Sequence, residues 1–114
     1  LPRVDIAYAY AGADGLLVRA LVDAGVAGIV AGGLGSGGSP SKMMAALKAA
    51  AQSGVPVVIA TQTGNGRVVR TRRYDEDGYI VADNLSPKKT RILLMMALTK
   101  TKDPEEIQRM MLTY

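Results

Sequence analysis

Three stretches of this chain carry residue types that could do chemistry. The first runs from Gly28 to Lys42 and reads Gly-Ile-Val-Ala-Gly-Gly-Leu-Gly-Ser-Gly-Gly-Ser-Pro-Ser-Lys. An apolar run passes there into a glycine-dense turn, and a helix start follows at once. Glycine allows close approach of other groups to the backbone, and a helix N-terminus offers unpaired N–H groups and partial positive charge. Such a segment suits an anionic or carboxylate-bearing ligand, with Ser36 and Ser39 as hydroxyls beside it. The second stretch is Thr61 to Gly66, whose Thr63-Gly64-Asn65-Gly66 has the chemistry of a turn and serves a structural or a functional role equally well. The third is an arginine cluster, Arg67, Arg70, Arg72 and Arg73, answered by the acids Asp75, Glu76 and Asp77.

Other chemistries are excluded. The chain has no His, and so lacks the usual general base and the usual zinc ligand. It has no Cys, hence neither a disulfide framework nor a thiolate. The hydroxyls of Ser36, Ser39, Thr61 and Thr63 have no imidazole to activate them, and no Ser-x-x-Lys pair is placed where both groups would converge. On its residues alone the chain is not a self-sufficient hydrolase. Gly33, Gly35 and Gly38 match a G-x-G-x-x-G skeleton, but Ala49 to Val58 holds no acid to receive a ribose. A loop presenting Ser36 or Ser39 to a small ligand is therefore preferred to a purely structural turn, and either to a dinucleotide site. The three adjacent acids read first as a solvated face.

The elements that must position these residues alternate. Val4 to Tyr10 reads as a strand. From Asp14, Leu17, Ala20, Leu21 and Ala24 fall at helical spacing, with Gly25 as C-terminal cap. Gly28 to Ala31 is a second strand. Ser39 and Pro40 form a cap and first turn for a helix lined by Met43, Leu47 and Ala50 and ended at Gly54. Val55 to Thr61 is a third strand, apolar enough to be buried on both faces. Thr61 to Asp77 is a long excursion, and Gly78 to Ala82 a short fourth strand. Ser86-Pro87 starts a helix with an apolar run from Arg91 to Leu98. Asp103 and Glu106 stand at capping-box spacing before a helix bearing Ile107, Met110, Met111 and Tyr114. The methionine pairs at 43–44, 95–96 and 110–111 read as core filling. The pattern predicts a small α/β domain, a parallel sheet of about four strands with helices on both faces. The loops after the first three strands, Tyr10–Asp14, Gly32–Ser41 and Thr61–Gly66, would then share one rim.

Composition fits this. With 114 residues the chain is long enough for one domain, and with no Phe or Trp its 48% hydrophobic content must build a core from Ala, Val, Leu, Ile and Met. The net charge of +4 is spread along the sequence, which argues against a nucleic-acid footprint. No apolar stretch reaches the roughly 18 residues of a membrane span, and no signal peptide is visible. The opening Leu-Pro-Arg, without Met, reads as a processed or excised piece.

Three segments, in order, resemble the C-terminal domain of the bacterial type II L-asparaginase/glutaminase family. They are Gly28-Ile-Val-Ala-Gly-Gly-Leu-Gly-Ser-Gly-Gly-Ser39, Thr63-Gly-Asn-Gly66 and Asn84-Leu-Ser-Pro-Lys-Lys-Thr-Arg-Ile-Leu-Leu94. The opening Val4–Tyr10 and the ending Ala97–Tyr114 are similar to that domain as well. The resemblance implies a single domain over 1–114 of Rossmann/flavodoxin-like three-layer type, the C-terminal part of a larger two-domain amidohydrolase. That enzyme hydrolyses L-asparagine, and often L-glutamine, to the acid and ammonia. It uses a threonine nucleophile and neither metal nor cofactor. The resemblance places the nucleophile and its supporting groups in an N-terminal domain, so no catalytic residue is expected in this chain. It implies a homotetramer, built as a dimer of dimers, in which this domain completes the site of a neighbouring subunit. Its family type points to the periplasm or to secretion. The family's polar residue after the G-x-G falls here on Gly38, a departure that leaves Ser39 or Ser36 to substitute, and the family's amino-group-binding Glu falls on Glu76, with Asp75 as rival. The other readings are a small-ligand or nucleotide-binding module built on the glycine loop, and a structural domain that binds nothing.

Overall fold

The computed structural model describes residues 1–9, 14–33, 41–61, 78–83 and 85–113. Strands β1 (Val4–Tyr8), β2 (Gly28–Gly33), β3 (Val57–Thr61) and β4 (Ile80–Val81) form one sheet in the order β1-β2-β3-β4. All neighbouring pairs are parallel, and the register sets Ala7 beside Ala31, Ala31 beside Ile59 and Ile59 beside Val81. Helices α1 (Leu16–Asp23), α2 (Ser41–Gln52), α3 (Pro87–Leu98) and α4 (Pro104–Thr113) complete the fold. The three-layer α/β arrangement expected from the alternation is present.

Strand periodicity divides the core in two. Ala7, Ile29, Ala31, Val57, Ile59 and Val81 face one way and pack under Val18 of α1 and Met43, Leu47 and Ala50 of α2. Val4, Val30, Val58, Ala60 and Ile80 face the other way, under Leu94 and Leu98 of α3 and Ile107 and Met111 of α4. Successive crossovers of one hand, advancing in one direction across the sheet, place α1 and α2 on the same face. The second face is therefore left for α3 and α4, which follow the last strand. Every residue of β2 and β3 is buried, as their lack of polar alternation predicts.

The element ends follow local chemistry. Gly25 (φ 79°) and Gly54 (φ 99°) occupy left-handed conformations just after α1 and α2. The Ser86 Oγ accepts from the Lys89 N–H at 3.3 Å and Pro87 opens α3, so this helix begins four residues before its apolar run. α1 begins at Leu16, not Asp14, and the Asp14 Oδ1 accepts the Leu16 N–H at 3.0 Å.

Several expectations are corrected. β2 continues past Ala31 through Gly32 and Gly33, because a parallel ladder needs only backbone groups and the Tyr8 ring fills the space beside Gly32. β3 begins at Val57; the Val55 N–H is held by the Ala50 carbonyl at 3.1 Å as the chain leaves α2. The capping box before α4 does not form. The Asp103 N–H donates to Thr101 Oγ1 at 3.0 Å, Asp103 Oδ1 accepts from Glu105 N–H at 3.2 Å, and Glu106 lies 3.6 Å from Arg109. Met43 and Met111 are core residues, but Met96 is 58% exposed. Adjacent helical positions are about 100° apart, so a pair cannot both face the sheet.

At Gly28 the side chains of α3 press closely on the sheet. A Cβ there would stand 3.0 Å from Leu94 Cδ2, 3.1 Å from Leu98 Cδ1 and 3.4 Å from Val4 Cγ2. Gly28→Val is expected to overpack this contact and to lower the unfolding free energy by about 1–3 kcal/mol. Urea unfolding of the two proteins, with an unchanged m-value, would measure it.

Candidate functional site

Because the strands are parallel, their C-terminal ends make one rim. Tyr8, Gly33, Thr61 and Val81 end the strands there, and the chain that leaves each of them enters the next excursion or helix. The ladder runs on at this edge: Ala9 N–H donates to the Gly32 carbonyl at 2.8 Å and Ala82 N–H to the Ile59 carbonyl at 2.9 Å. Thr61 is 3% exposed and stands in register with Gly33. Asp83, one residue past the β4 extension, takes φ 58°, a left-handed conformation that Asp tolerates better than most residues.

Helix N-termini gather at the same rim. α1 and α2 start from it, and so does α3, whose Pro87 lies beside Gly32 and the Tyr8 ring. Their aligned peptide dipoles give this edge a positive bias. Among the described residues no group of three or more His, Cys, Asp or Glu is placed to hold a metal ion. No helix of the described residues is long and apolar enough to cross a membrane. Tyr8, Asp14, Leu16, Leu17, Val18 and Met43 line a cleft of about 340 Å³ at the start of α1. Its wall is apolar and open, with Leu16 66%, Leu17 49% and Tyr8 39% exposed.

The sequence-predicted site residues Ser36, Gly38, Ser39 and Glu76 lie outside the described residues, as do the Ser39–Pro40 helix start and the Thr63–Gly66 turn. The anchors of both stretches are described. The glycine-rich stretch leaves the sheet at Gly33 and reaches α2 at Ser41; the acidic stretch leaves at Thr61 and returns at Gly78. The first two anchors of departure are register partners on adjacent central strands, so both stretches spring from neighbouring points of the rim.

Three buried or half-buried contacts that hold the elements together escaped sequence reasoning. The Tyr79 hydroxyl donates to the Met44 carbonyl of α2 at 3.0 Å. The Gln108 amide bonds Val81 twice, accepting its N–H at 2.8 Å and donating to its carbonyl at 2.9 Å. Arg91 Nε donates to the Val4 carbonyl at 2.6 Å and ties α3 to the start of β1. The one available signal was a glutamine set between core positions of a helix, at 108 beside Ile107 and Met111.

Comparison with known proteins gives this geometry its context. The model of the glutaminase/asparaginase C-terminal domain matches residues 3–111. L-asparaginase 2 of Escherichia coli strain K12 is 40% identical over 116 residues, covering 100% of this chain and 33% of that protein. A Haemophilus influenzae protein named "Probable L-asparaginase periplasmic" is 39% identical over 111 residues, covering 96% of this chain and 32% of that one. The solved structure described as "Probable Cytoplasmic L-asparaginase from Campylobacter jejuni" superposes with a TM-score of 0.95 at 38% identity, over 100% of this chain and 38% of that one. The chain thus spans about a third of the length of these relatives. With the family model matched almost end to end, and a near-identical fold in a solved asparaginase, this chain belongs to the glutaminase/asparaginase C-terminal domain family.

Proposed function

We propose that this chain is the substrate-completing domain of an amidohydrolase that converts L-asparagine, and L-glutamine as a second substrate, to the corresponding acid and ammonia. The observation that carries this reading is the match over residues 3–111 to a domain that makes up only about a third of its asparaginase relatives. The remaining length of those relatives supplies the place for a threonine nucleophile, and this chain has neither a Cys nor a His to activate a hydroxyl. An amino-acid substrate presents a carboxylate and an ammonium. The glycine-rich stretch before α2 suits the carboxylate side, by its N–H groups and the helix dipole. Glu76 suits the ammonium, through a charge-assisted hydrogen bond. Gly38 contributes backbone alone, so side-chain contact on that stretch falls to Ser36 or Ser39.

The partners follow from the same reading: an N-terminal catalytic domain, and further copies in a tetramer built as a dimer of dimers. The exposed Tyr8, Leu16 and Leu17 beside the rim support a body covering this edge, because clustered exposed apolar residues mark contact surfaces. For location we favour the periplasm or the exterior, in line with the relative from Haemophilus influenzae; the neighbour from Campylobacter jejuni carries the opposite name. Cell fractionation of the source organism separates the two.

Ammonia release from L-asparagine tests the reading. This domain by itself is expected to give none, and the two-domain enzyme to give turnover. Turnover by the domain alone would place a nucleophile in it and overturn the assignment. Nucleotide binding in a thermal-shift assay, without a response to L-aspartate, would favour a nucleotide module instead.

A further inference from the structure

We propose that the outer edge of β1 is a docking edge for an extended segment from the N-terminal part of the same polypeptide; this rests on the two-domain reading above. Alternation along the strand decides which backbone groups are available. The Arg3 carbonyl accepts the Ala27 N–H and the Ala9 N–H donates to the Gly32 carbonyl, both at 2.8 Å. Odd-numbered positions here therefore turn their backbone groups toward β2. Val4, Ile6 and Tyr8 turn theirs the other way, to the side where the sheet has no further strand. Arg91 Nε takes the Val4 carbonyl at 2.6 Å. Among the described residues nothing bonds the outward N–H and carbonyl groups of Ile6 and Tyr8.

The two edges of the sheet differ. At β4 the buried Gln108 amide bonds both outward groups of Val81. β1 lacks such a cover and also lacks the usual deterrents of a free edge. Its register with β2 runs one residue to one without a bulge, Val4–Tyr8 holds neither Pro nor Lys, and its one charge, Asp5, is paired with Arg3 at 2.9 Å. Exposed apolar side chains continue the border, because Tyr8, Leu16 and Leu17 share one cleft. Unpaired strand backbone beside exposed apolar side chains suits strand addition. The occupant follows from the place of this domain in its family. The matched model is a C-terminal domain and the chain spans about a third of its relatives' length, so the remaining length precedes Leu1. It joins the domain three residues before Val4, at the start of the open strand. A segment tethered there has a higher effective concentration at this edge than a free partner.

Hydrogen exchange resolved to single amides in the two-domain enzyme tests this. The Ile6 and Tyr8 amides are expected to exchange as slowly as those of Asp5 and Ala7, at least about 100-fold more slowly than unpaired amides. Fast exchange at Ile6 and Tyr8 between slow neighbours would overturn the proposal; in an enzyme that turns over L-asparagine it would leave the proposed function standing. Ile6→Pro separates pairing from simple burial, because it removes only an outward N–H and sets a ring against an added strand. In that variant Tyr8 is expected to become fast while Asp5 and Ala7 stay slow; a Tyr8 amide that stays slow with them would overturn the proposal. The parent measurement decides whether or not that variant folds. The 114-residue chain by itself is expected to keep Ile6 and Tyr8 fast at every concentration. Protection of these two amides that rises with concentration, together with dimers in sedimentation, would assign the edge to a second copy and overturn the proposal.

Discussion

Replacing Glu76 by alanine in the two-domain enzyme is expected to raise KM for L-asparagine by about 100-fold. A hydrogen bond between ionised groups contributes about 1.5–3 kcal/mol, and Glu76→Ala removes that partner from the substrate ammonium. A factor of 100 corresponds to about 2.7 kcal/mol and lies inside that range. The change should act on recognition of the α-amino group and not on the amide. A substrate that keeps the amide and the carboxylate but lacks the ammonium is therefore expected to lose little between the two enzymes. That comparison also decides between neighbours. Asp75→Ala should leave KM for L-asparagine near its starting value if Glu76 is the ligand, and should take over the large effect if Asp75 is. An unchanged KM in the Glu76 variant would remove that residue from the site.

The parts of this molecule legible in its sequence are those decided by local chemistry. The near-continuous apolar run of Val55–Thr61 announced a strand buried on both faces, and the strand formed apart from the first two residues of that run. Ser86-Pro87 announced the start of α3, and Met43, Leu47 and Ala50 the buried face of α2. What failed was decided by neighbours distant in sequence. Gly32 and Gly33 look like loop, yet Tyr8 and β3 draw them into the sheet. Glu106 stands at the right spacing for a capping box, but Thr101 had already taken the Asp103 N–H. Tyr79 and Gln108 acquire their roles only when the fold brings partners 35 and 27 positions away in sequence within reach. The candidate site had a third kind of legibility. Ser36, Gly38, Ser39 and Glu76 were placed by resemblance to a family, and what physics adds is their anchors: Gly33, Ser41, Thr61 and Gly78, with Gly33 and Thr61 paired in register at one rim. The departure at Gly38 is a difference of side chain that no backbone property predicts.

Removing the Gln108 amide is expected to cost the fold more than any surface change, because it guards the end of the sheet. β4 pairs with β3 along one side, so Val81 directs its N–H and carbonyl away from the sheet, where Gln108 meets both at 2.8 and 2.9 Å. The side chain thus supplies one residue's worth of a further strand. Gln108 is 3% exposed, and Val81 is fully buried, so water cannot take its place. Gln108→Met conserves the length of the side chain and removes both bonds. It leaves two buried backbone groups unsatisfied, at about 1–3 kcal/mol each, for a predicted destabilisation of about 2–5 kcal/mol by urea unfolding. Gln108→Glu sharpens the argument through pH. A protonated carboxyl can accept the Val81 N–H with one oxygen and donate to the carbonyl with the other, as the amide does. A carboxylate sets a negative charge against that carbonyl in a buried site, which raises the folded-state pKa above the ordinary value of about 4.3. A raised folded pKa means that the folded state binds more protons than the unfolded one, so stability falls as pH rises. The Gln108→Glu protein should therefore approach the parent below about pH 4 and lose about 1.4 kcal/mol per pH unit above it, until the buried group ionises. A deficit independent of pH would show that the amide acts by shape alone. A deficit that grows toward acid would show that the carboxylate is solvated, and that the far edge of β4 is open.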